Sequence, residues 1–231
     1  VYKRQGKTFT MFFSALKFLD RYYDKSPIVF IVVDRTELED QIGRVLRAIR
    51  DQRFKLLFQR VESIEQLHDI LRTIKRAELD PKIVLQPKVY LVTIQKFMRG
   101  SEEVAGIESL LTELGNMYLE YLKTNDTKQY GMIVAELEEL NEKSRRQRIM
   151  ELGSIKHRHI LVLIDEAHRS QYGILATMLK MAMPNALRIG FTGTPVMKFD
   201  RNTFREFAYP EQGELYLDVY SIEDSIRDGF T

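Results

Sequence analysis

Apolar residues recur along this chain in two alternating rhythms. Over residues 8–23, Met11, Phe12, Ala15, Leu16, Leu19 and Tyr22 fall three or four positions apart, which predicts an amphipathic helix. Pro27 ends the turn that follows, and residues 28–33 (Ile-Val-Phe-Ile-Val-Val) form an unbroken apolar run rich in β-branched side chains. Such a run is expected of a strand buried on both faces of a parallel sheet. Helical spacing returns over residues 37–50 through Leu38, Ile42, Val45, Leu46 and Ile49. Ser63 and Gln66 have the spacing of a capping box and should open a helix carrying Ile64, Leu67, Ile70, Leu71 and Ile74. Short buried strands are predicted at residues 89–93, 160–164 and 187–191.

Strands alternating with helices predict an α/β fold built on a parallel sheet. Each predicted strand runs into polar residues: Asp34-Arg35, Thr93-Ile94-Gln95, Asp165-Glu166 and Thr192-Gly193-Thr194. In a parallel sheet these clusters share the rim at the strands' carboxyl ends, where ligands gather. Residues 101–156 break the rhythm. Two helices are predicted there, over 104–123 and 128–152, with Asn125-Asp126-Thr127 as the turn. They read as an inserted helical hairpin. Leu110, Leu111, Leu114, Met117, Tyr118 and Tyr121 are expected to pack on Ile133, Val134, Leu137 and Leu140. Its later part carries Lys143, Arg145, Arg146 and Arg148, which reads first as a solvated helix face.

Composition narrows the class. The chain has 231 residues, and 44% of them are hydrophobic and 29% charged, enough apolar residues to build a core. It contains no cysteine, which removes disulfides, thiolate metal sites and a cysteine nucleophile, and fits a reducing, cytoplasmic setting. No apolar run approaches the roughly 18 residues of a membrane span. Net charge is +2 (35 − 33), yet residues 1–60 carry 13 basic against 7 acidic side chains, and residues 201–231 carry 3 against 7. The basic first quarter could face a polyanion.

Three motifs carry candidate chemistry. The apolar strand at 160–164 delivers Asp165-Glu166-Ala167-His168 to its carboxyl end. In a nucleoside triphosphatase the first carboxylate holds Mg²⁺ and the second polarises the attacking water. Gly6-Lys7-Thr8 stands at the start of a predicted helix, whose free backbone N–H groups favour phosphate. A phosphate loop needs a lysine for the β- and γ-phosphates and a hydroxyl for Mg²⁺, supplied here by Lys7 and Thr8. The full loop would begin with glycine at position 1, which is valine. The third motif is Gly190-Phe191-Thr192-Gly193-Thr194-Pro195, whose small and hydroxyl residues suit a turn beside phosphates.

Taken together, these motifs resemble those of superfamily 2 helicase-type ATPases with a RecA-like P-loop fold. Further segments, residues 32–41 and Val92-Thr93-Ile94-Gln95-Lys96-Phe97, resemble the family's motifs Ia and Ib. Narrower wording, above all Asp165-Glu-Ala-His-Arg-Ser-Gln-Tyr-Gly173 and the 220–230 tail, is similar to the restriction (motor) subunit of type I restriction–modification enzymes. The resemblance covers nearly the whole chain except the hairpin. It implies a helicase-type motor that hydrolyses ATP, with Mg²⁺, to move double-stranded DNA in a complex with modification and specificity subunits. By position it implies cofactor binding at Gly6, Lys7 and Thr8, Mg²⁺ at Thr8 and Asp165, and catalysis at Asp165 and Glu166. It implies coupling of nucleotide state to motion at His168, Thr192, Gly193 and Thr194, and DNA contact at Arg35, Thr93 and Gln95.

Against the family's pattern, a nuclease domain, a second motor domain and the strand before the phosphate loop are not found. The expectation is one RecA-like domain cut at its phosphate loop, with Gly6 and Lys7 poorly anchored and little activity alone. Asp80-Pro81-Lys82 has a nuclease-like D-x-K spacing without a partner aspartate and reads as a loop. Two other functions fit the same residues: another superfamily 2 DNA or RNA helicase, or a docking module that keeps the fold without the nucleotide.

Overall fold

The computed structural model describes residues 7–33, 56–97, 100–167, 172–193, 218–219 and 221–228. Within these, five strands form one sheet in the order β2-β3-β1-β4-β5. They are β1 (Ile28–Val33), β2 (Phe58–Arg60), β3 (Lys88–Thr93), β4 (Ile160–Asp165) and β5 (Leu187–Phe191). Every pairing is parallel. The helices are α1 (Lys7–Arg21), α2 (Ile64–Leu79), α3 (Ile94–Phe97), α4 (Gly100–Asn125), α5 (Thr127–Glu139), α6 (Glu142–Gly153), α7 (Tyr172–Ala182) and α8 (Ile222–Arg227).

Residues 28–33 of β1 and 160–164 of β4 are apolar at every position because both faces are covered. Val29, Ile31, Val33, Val89, Leu91, Leu161 and Leu163 point to one layer, where they meet Met11, Phe12, Ala15, Phe18 and Leu19 of α1. Phe30, Val32, Val92, Val162 and Ile164 point the other way, against Leu67, Ile70, Leu71 and Ile74 of α2. The helix spacing predicted for α1 holds, with one exchange: Phe18 is buried, and Leu16 and Tyr22 are only partly so. Ser63 caps α2 as expected, its hydroxyl accepting from the Gln66 N–H at 3.2 Å. The return bond from Gln66 reaches the N–H of Glu62 rather than that of Ser63.

Three differences from the pattern reading have local causes. Strand β2 was not predicted: Phe58-Gln59-Arg60 is short and mostly polar, and only its pairing with β3 makes it a strand. The second predicted hairpin helix is two helices. Leu140 and Asn141 are extended, and the Asn141 side chain caps α6 by accepting from the Ser144 N–H. The predicted packing of α4 divides as well. Leu110 and Leu114 belong to the α2 layer of the main core. The far part of α4 joins α5 and α6 in a small cluster around Leu122, Ile133 and Leu137.

The junction is close. A Cβ added at Gly153 of α6 would lie 1.9 Å from the Leu111 carbonyl oxygen of α4. Lys75 of α2 is buried there, donating to the Ser154 carbonyl at 2.8 Å and to Glu78 at 3.3 Å. Asp80 ends α2 in a turn closed by the Lys82 N–H on its carboxylate, the loop expected at the D-x-K triplet. The predicted helix over 37–50 lies outside the described residues.

Candidate functional site

A parallel sheet brings its carboxyl ends to one rim, and the register aligns them. Val33 lies opposite Thr93, Val32 opposite Ile164, and Asp165 opposite Phe191. Thr93, Val33, Asp165 and Phe191 therefore form one row across four adjacent strands. The clustering expected from sequence is present for β3, β4 and β5.

Beyond that row, Glu166 turns the chain sharply. Its backbone has φ of 50°, the left-handed region that ordinary residues occupy only against roughly 1–2 kcal/mol of strain. The next residue pins the turn: the Ala167 N–H donates to the Phe191 carbonyl at 3.0 Å. The end of β4 is thus tied to the end of β5, just before Thr192 and Gly193.

Helix α1 aims its first turn at the same place. Lys7 Nζ donates to Glu166 Oε1 at 2.6 Å and lies 3.6 Å from Asp165 Oδ1. The side chains are 21% (Lys7), 24% (Glu166) and 5% (Asp165) exposed. Burial pushes the Asp165 carboxyl above the usual carboxylate range. Lys7 and the Glu166 backbone N–H pull it down, the Glu166 charge pushes it up, and burial prevails. The chain thus holds a dry carboxylate that favours a cation, with one ammonium already against it.

The donors suit Mg²⁺, which takes hard oxygen ligands and usually one or two carboxylates with phosphates and water. Asp165 and Glu166 offer carboxylates, and Thr8 offers a hydroxyl next to Lys7 in the first turn of α1. The Lys7 ammonium stands in for positive charge at this locus. The residues fit a metal–phosphate group.

The remaining predicted residues divide. Thr93 is buried at the end of β3 (3% exposed), while Gln95 in α3 is exposed. Lys96 beside it donates to the Val61 carbonyl, tying the rim to the end of β2. Thr192 is partly buried, and a Cβ added at Gly193 would meet nothing within 4 Å. Gly6, His168, Thr194 and Arg35 lie outside the described residues. Lys7, expected to be poorly anchored, is held through its side chain by both carboxylates. Pattern reading missed the Ala167–Phe191 link. A backbone donor leaves no mark in residue types, so no sequence signal could have found it.

The basic cluster on α6 is partly neutralised. Arg148 pairs with Glu136 and Glu151, and Arg146 with Glu142. No helix among the described residues is long and apolar enough to cross a membrane.

Comparison with known proteins agrees with this geometry. Residues 2–231 match the SWI2/SNF2 ATPase family. A protein of Methanocaldococcus jannaschii, provisionally named the endonuclease subunit of type I restriction enzyme MjaVIIP, is 40% identical over 268 aligned positions. The alignment takes in 98% of this chain and 25% of that protein. The HindI type I restriction endonuclease subunit of Haemophilus influenzae is 28% identical, over 98% of this chain and 17% of the relative. The chain spans a quarter or less of the length of these relatives. The fold is that of an α/β RecA-like P-loop NTPase, a parallel sheet flanked by helices.

Proposed function

We propose, from the premise that this chain belongs to the SWI2/SNF2 ATPase family, that it is the ATP-hydrolysing motor domain of a type I restriction endonuclease subunit and moves duplex DNA. The observation that carries the reading is the meeting of Lys7, Asp165 and Glu166 at the carboxyl rim, beside the start of α1.

In this reading Gly6 and the first backbone N–H groups of α1 would hold the phosphates, and Lys7 would turn toward the β- and γ-phosphate oxygens. Thr8 and Asp165 would hold Mg²⁺, which would offset the charge of the phosphates. Glu166 would orient and polarise the attacking water. The turn at Glu166, with φ of 50°, sets the direction in which its side chain leaves the backbone at the rim. The Ala167–Phe191 bond gives a direct route from this turn to Thr192, Gly193 and Thr194, which with His168 would pass the nucleotide state to neighbouring parts of the protein. Exposed Gln95, together with Arg35, would touch the DNA backbone. Phosphate contacts of that kind position without reading sequence, so recognition would fall to a specificity subunit, with the modification subunit completing the complex. Thr93, expected at the DNA with Gln95 and Arg35, is buried at the end of β3 and would support the rim instead. The helices between β3 and β4 would be an insertion within a single domain.

The test is ATP hydrolysis with and without duplex DNA, in the chain and in its parent subunit, each with Lys7→Ala. The reading expects nucleotide binding that Lys7→Ala abolishes, and turnover in the parent that duplex DNA raises and RNA does not. Nucleotide binding unchanged by Lys7→Ala would refute the assigned site, and stimulation by RNA alone would move the protein to another branch of the superfamily.

A further inference from the structure

The segment that leads into β4, residues 154–159, belongs to no helix or strand, so its backbone groups must find partners one by one. Side chains from two other elements supply several of them. Buried Lys75 of α2 donates to the Ser154 carbonyl at 2.8 Å, and Asn185, in the turn before β5, donates to the Lys156 carbonyl at 2.9 Å. Glu78, one turn along α2 from Lys75, accepts from the His157 N–H at 2.6 Å and from Lys75 at 3.3 Å. The His157 ring donates from Nε2 to the Ser26 carbonyl at 3.0 Å, and the Ile28 N–H donates to the His159 carbonyl at 2.9 Å. One cluster thus holds the amino ends of both β1 and β4, at the edge of the sheet opposite the rim.

Strand β4 needs that hold. Ile160, Val162 and Ile164 face one apolar layer, and Leu161 and Leu163 face the other. Each face repeats every two residues, so a shift of two positions again sets apolar on apolar, and the faces alone specify register weakly. Such a shift would carry Asp165 and Glu166 about 6.6 Å along the strand. A misplacement of about 1 Å can already cost a reaction roughly 10²-fold. We propose that Glu78 is a positioning residue for hydrolysis: with Lys75 and Asn185 it fixes the entry of β4, and thereby where Asp165 and Glu166 stand at the far end of the strand. The proposal rests on the nucleotide reading given above. Lys7 and Thr8, assigned there to phosphate and Mg²⁺, belong to α1 instead, so the cluster bears on turnover more than on nucleotide affinity.

The experiment compares the parent subunit with its Glu78→Ala, Glu78→Gln and Asn185→Ala variants. Steady-state ATP hydrolysis is measured per folded molecule, and amide hydrogen exchange is followed over residues 160–167 of β4 and its turn and over residues 88–93 of β3. Glu78→Ala should lower kcat about tenfold or more while KM for ATP stays within about twofold. Its exchange should quicken about tenfold over 160–167 and much less over 88–93. Glu78→Gln keeps an acceptor for the His157 N–H and should recover most of kcat and of the protection. Asn185→Ala should act in the same direction as Glu78→Ala, more weakly. A kcat for Glu78→Ala that is unchanged per folded molecule overturns the proposal, and so does exchange that quickens equally in β3 and β4, the mark of a merely structural role. If the unaltered subunit hydrolyses no ATP, the nucleotide reading falls, and the exchange comparison alone decides whether Glu78 places β4. Should Glu78→Ala not fold, Asn185→Ala decides by the same two readouts.

Discussion

The same substitution, glycine to alanine, should have opposite signs at two positions in the helices between β3 and β4. Gly131 lies within α5, is exposed, and an added Cβ would meet nothing within 4 Å. Alanine there gains helix propensity and restricts the unfolded chain, worth about 0.5–1 kcal/mol. Gly153 closes α6 against α4. Its added Cβ would lie 1.9 Å from the Leu111 carbonyl oxygen, 2.8 Å from the carbonyl carbon and 3.1 Å from the Cα. A carbon–oxygen contact settles at roughly 3.3 Å, so the helices would have to part by about 1.4 Å. All three obstructing atoms are backbone, so no rotamer change relieves them. The end of α6 has no freedom to slide either. The Ser154 carbonyl is held by buried Lys75, and the Ile155 N–H donates to the Ala182 carbonyl at 2.7 Å. Overpacking of a core by one carbon costs about 1–3 kcal/mol, and this site belongs at the upper end. For a chain of this size 1 kcal/mol moves the melting temperature by about 2–4 °C. Thermal unfolding followed by circular dichroism should therefore show Gly131→Ala raised by about 2–4 °C and Gly153→Ala lowered by about 5–10 °C. A Gly153→Ala protein that melts no lower than Gly131→Ala would refute the close approach of α4 and α6.

Ser26, at φ of 52°, holds left-handed backbone without glycine's freedom, so Ser26→Gly should gain about 1 kcal/mol in urea unfolding. A loss instead would mean that the Ser26 side chain does something its geometry does not show. Arg72 makes two bonds to Glu113, at 2.7 and 2.8 Å, and one to Asp69, but near the surface. Arg72→Ala should lose under about 1 kcal/mol, and that loss should shrink in high salt. Asp165 gives a pH prediction. Its folded pKa is raised, so in the window above the ordinary carboxylate value of 3.8 the folded state binds more protons than the unfolded state. The Asp165 contribution to stability therefore falls as pH rises through that window, and the full cost is present above it. Among the described residues, Lys7 and Glu166 are charged groups that act on it. Asp165→Asn should stabilise the protein at neutral pH, flatten this part of its pH profile and abolish hydrolysis. A variant less stable than the parent at neutral pH would show that the Lys7 pairing outweighs burial.

What was legible in the sequence follows from which forces leave marks in residue types. Burial does: the runs at 28–33 and 160–164 are apolar at every position because helices cover both faces, and both are strands in the sheet. Chain direction then follows from alternation, and with it the shared rim that brings Asp165 and Phe191 into one row. Caps leave marks too. Asp126 accepts from the Gln129 N–H at the turn that was predicted, and Asn141 could have been read the same way before Ser144. Edge pairing leaves almost none: β2 depends on hydrogen bonds to β3, and backbone bonds are indifferent to side chains. Packing between distant segments was also hidden. Leu110 and Leu114 fit the spacing of a hairpin seam and of a sheet-covering face equally well, and only the position of α2 decides between them. At the site, the motifs named Lys7, Asp165 and Glu166 but gave no hint that the lysine already lies on both carboxylates. That arrangement arises from electrostatics. Two carboxylates brought to the end of a buried strand need positive charge nearby, and the first turn of α1 supplies it. The lysine proposed above for phosphate is thereby the natural partner of two carboxylates, and that pairing follows from the fold rather than from the motif.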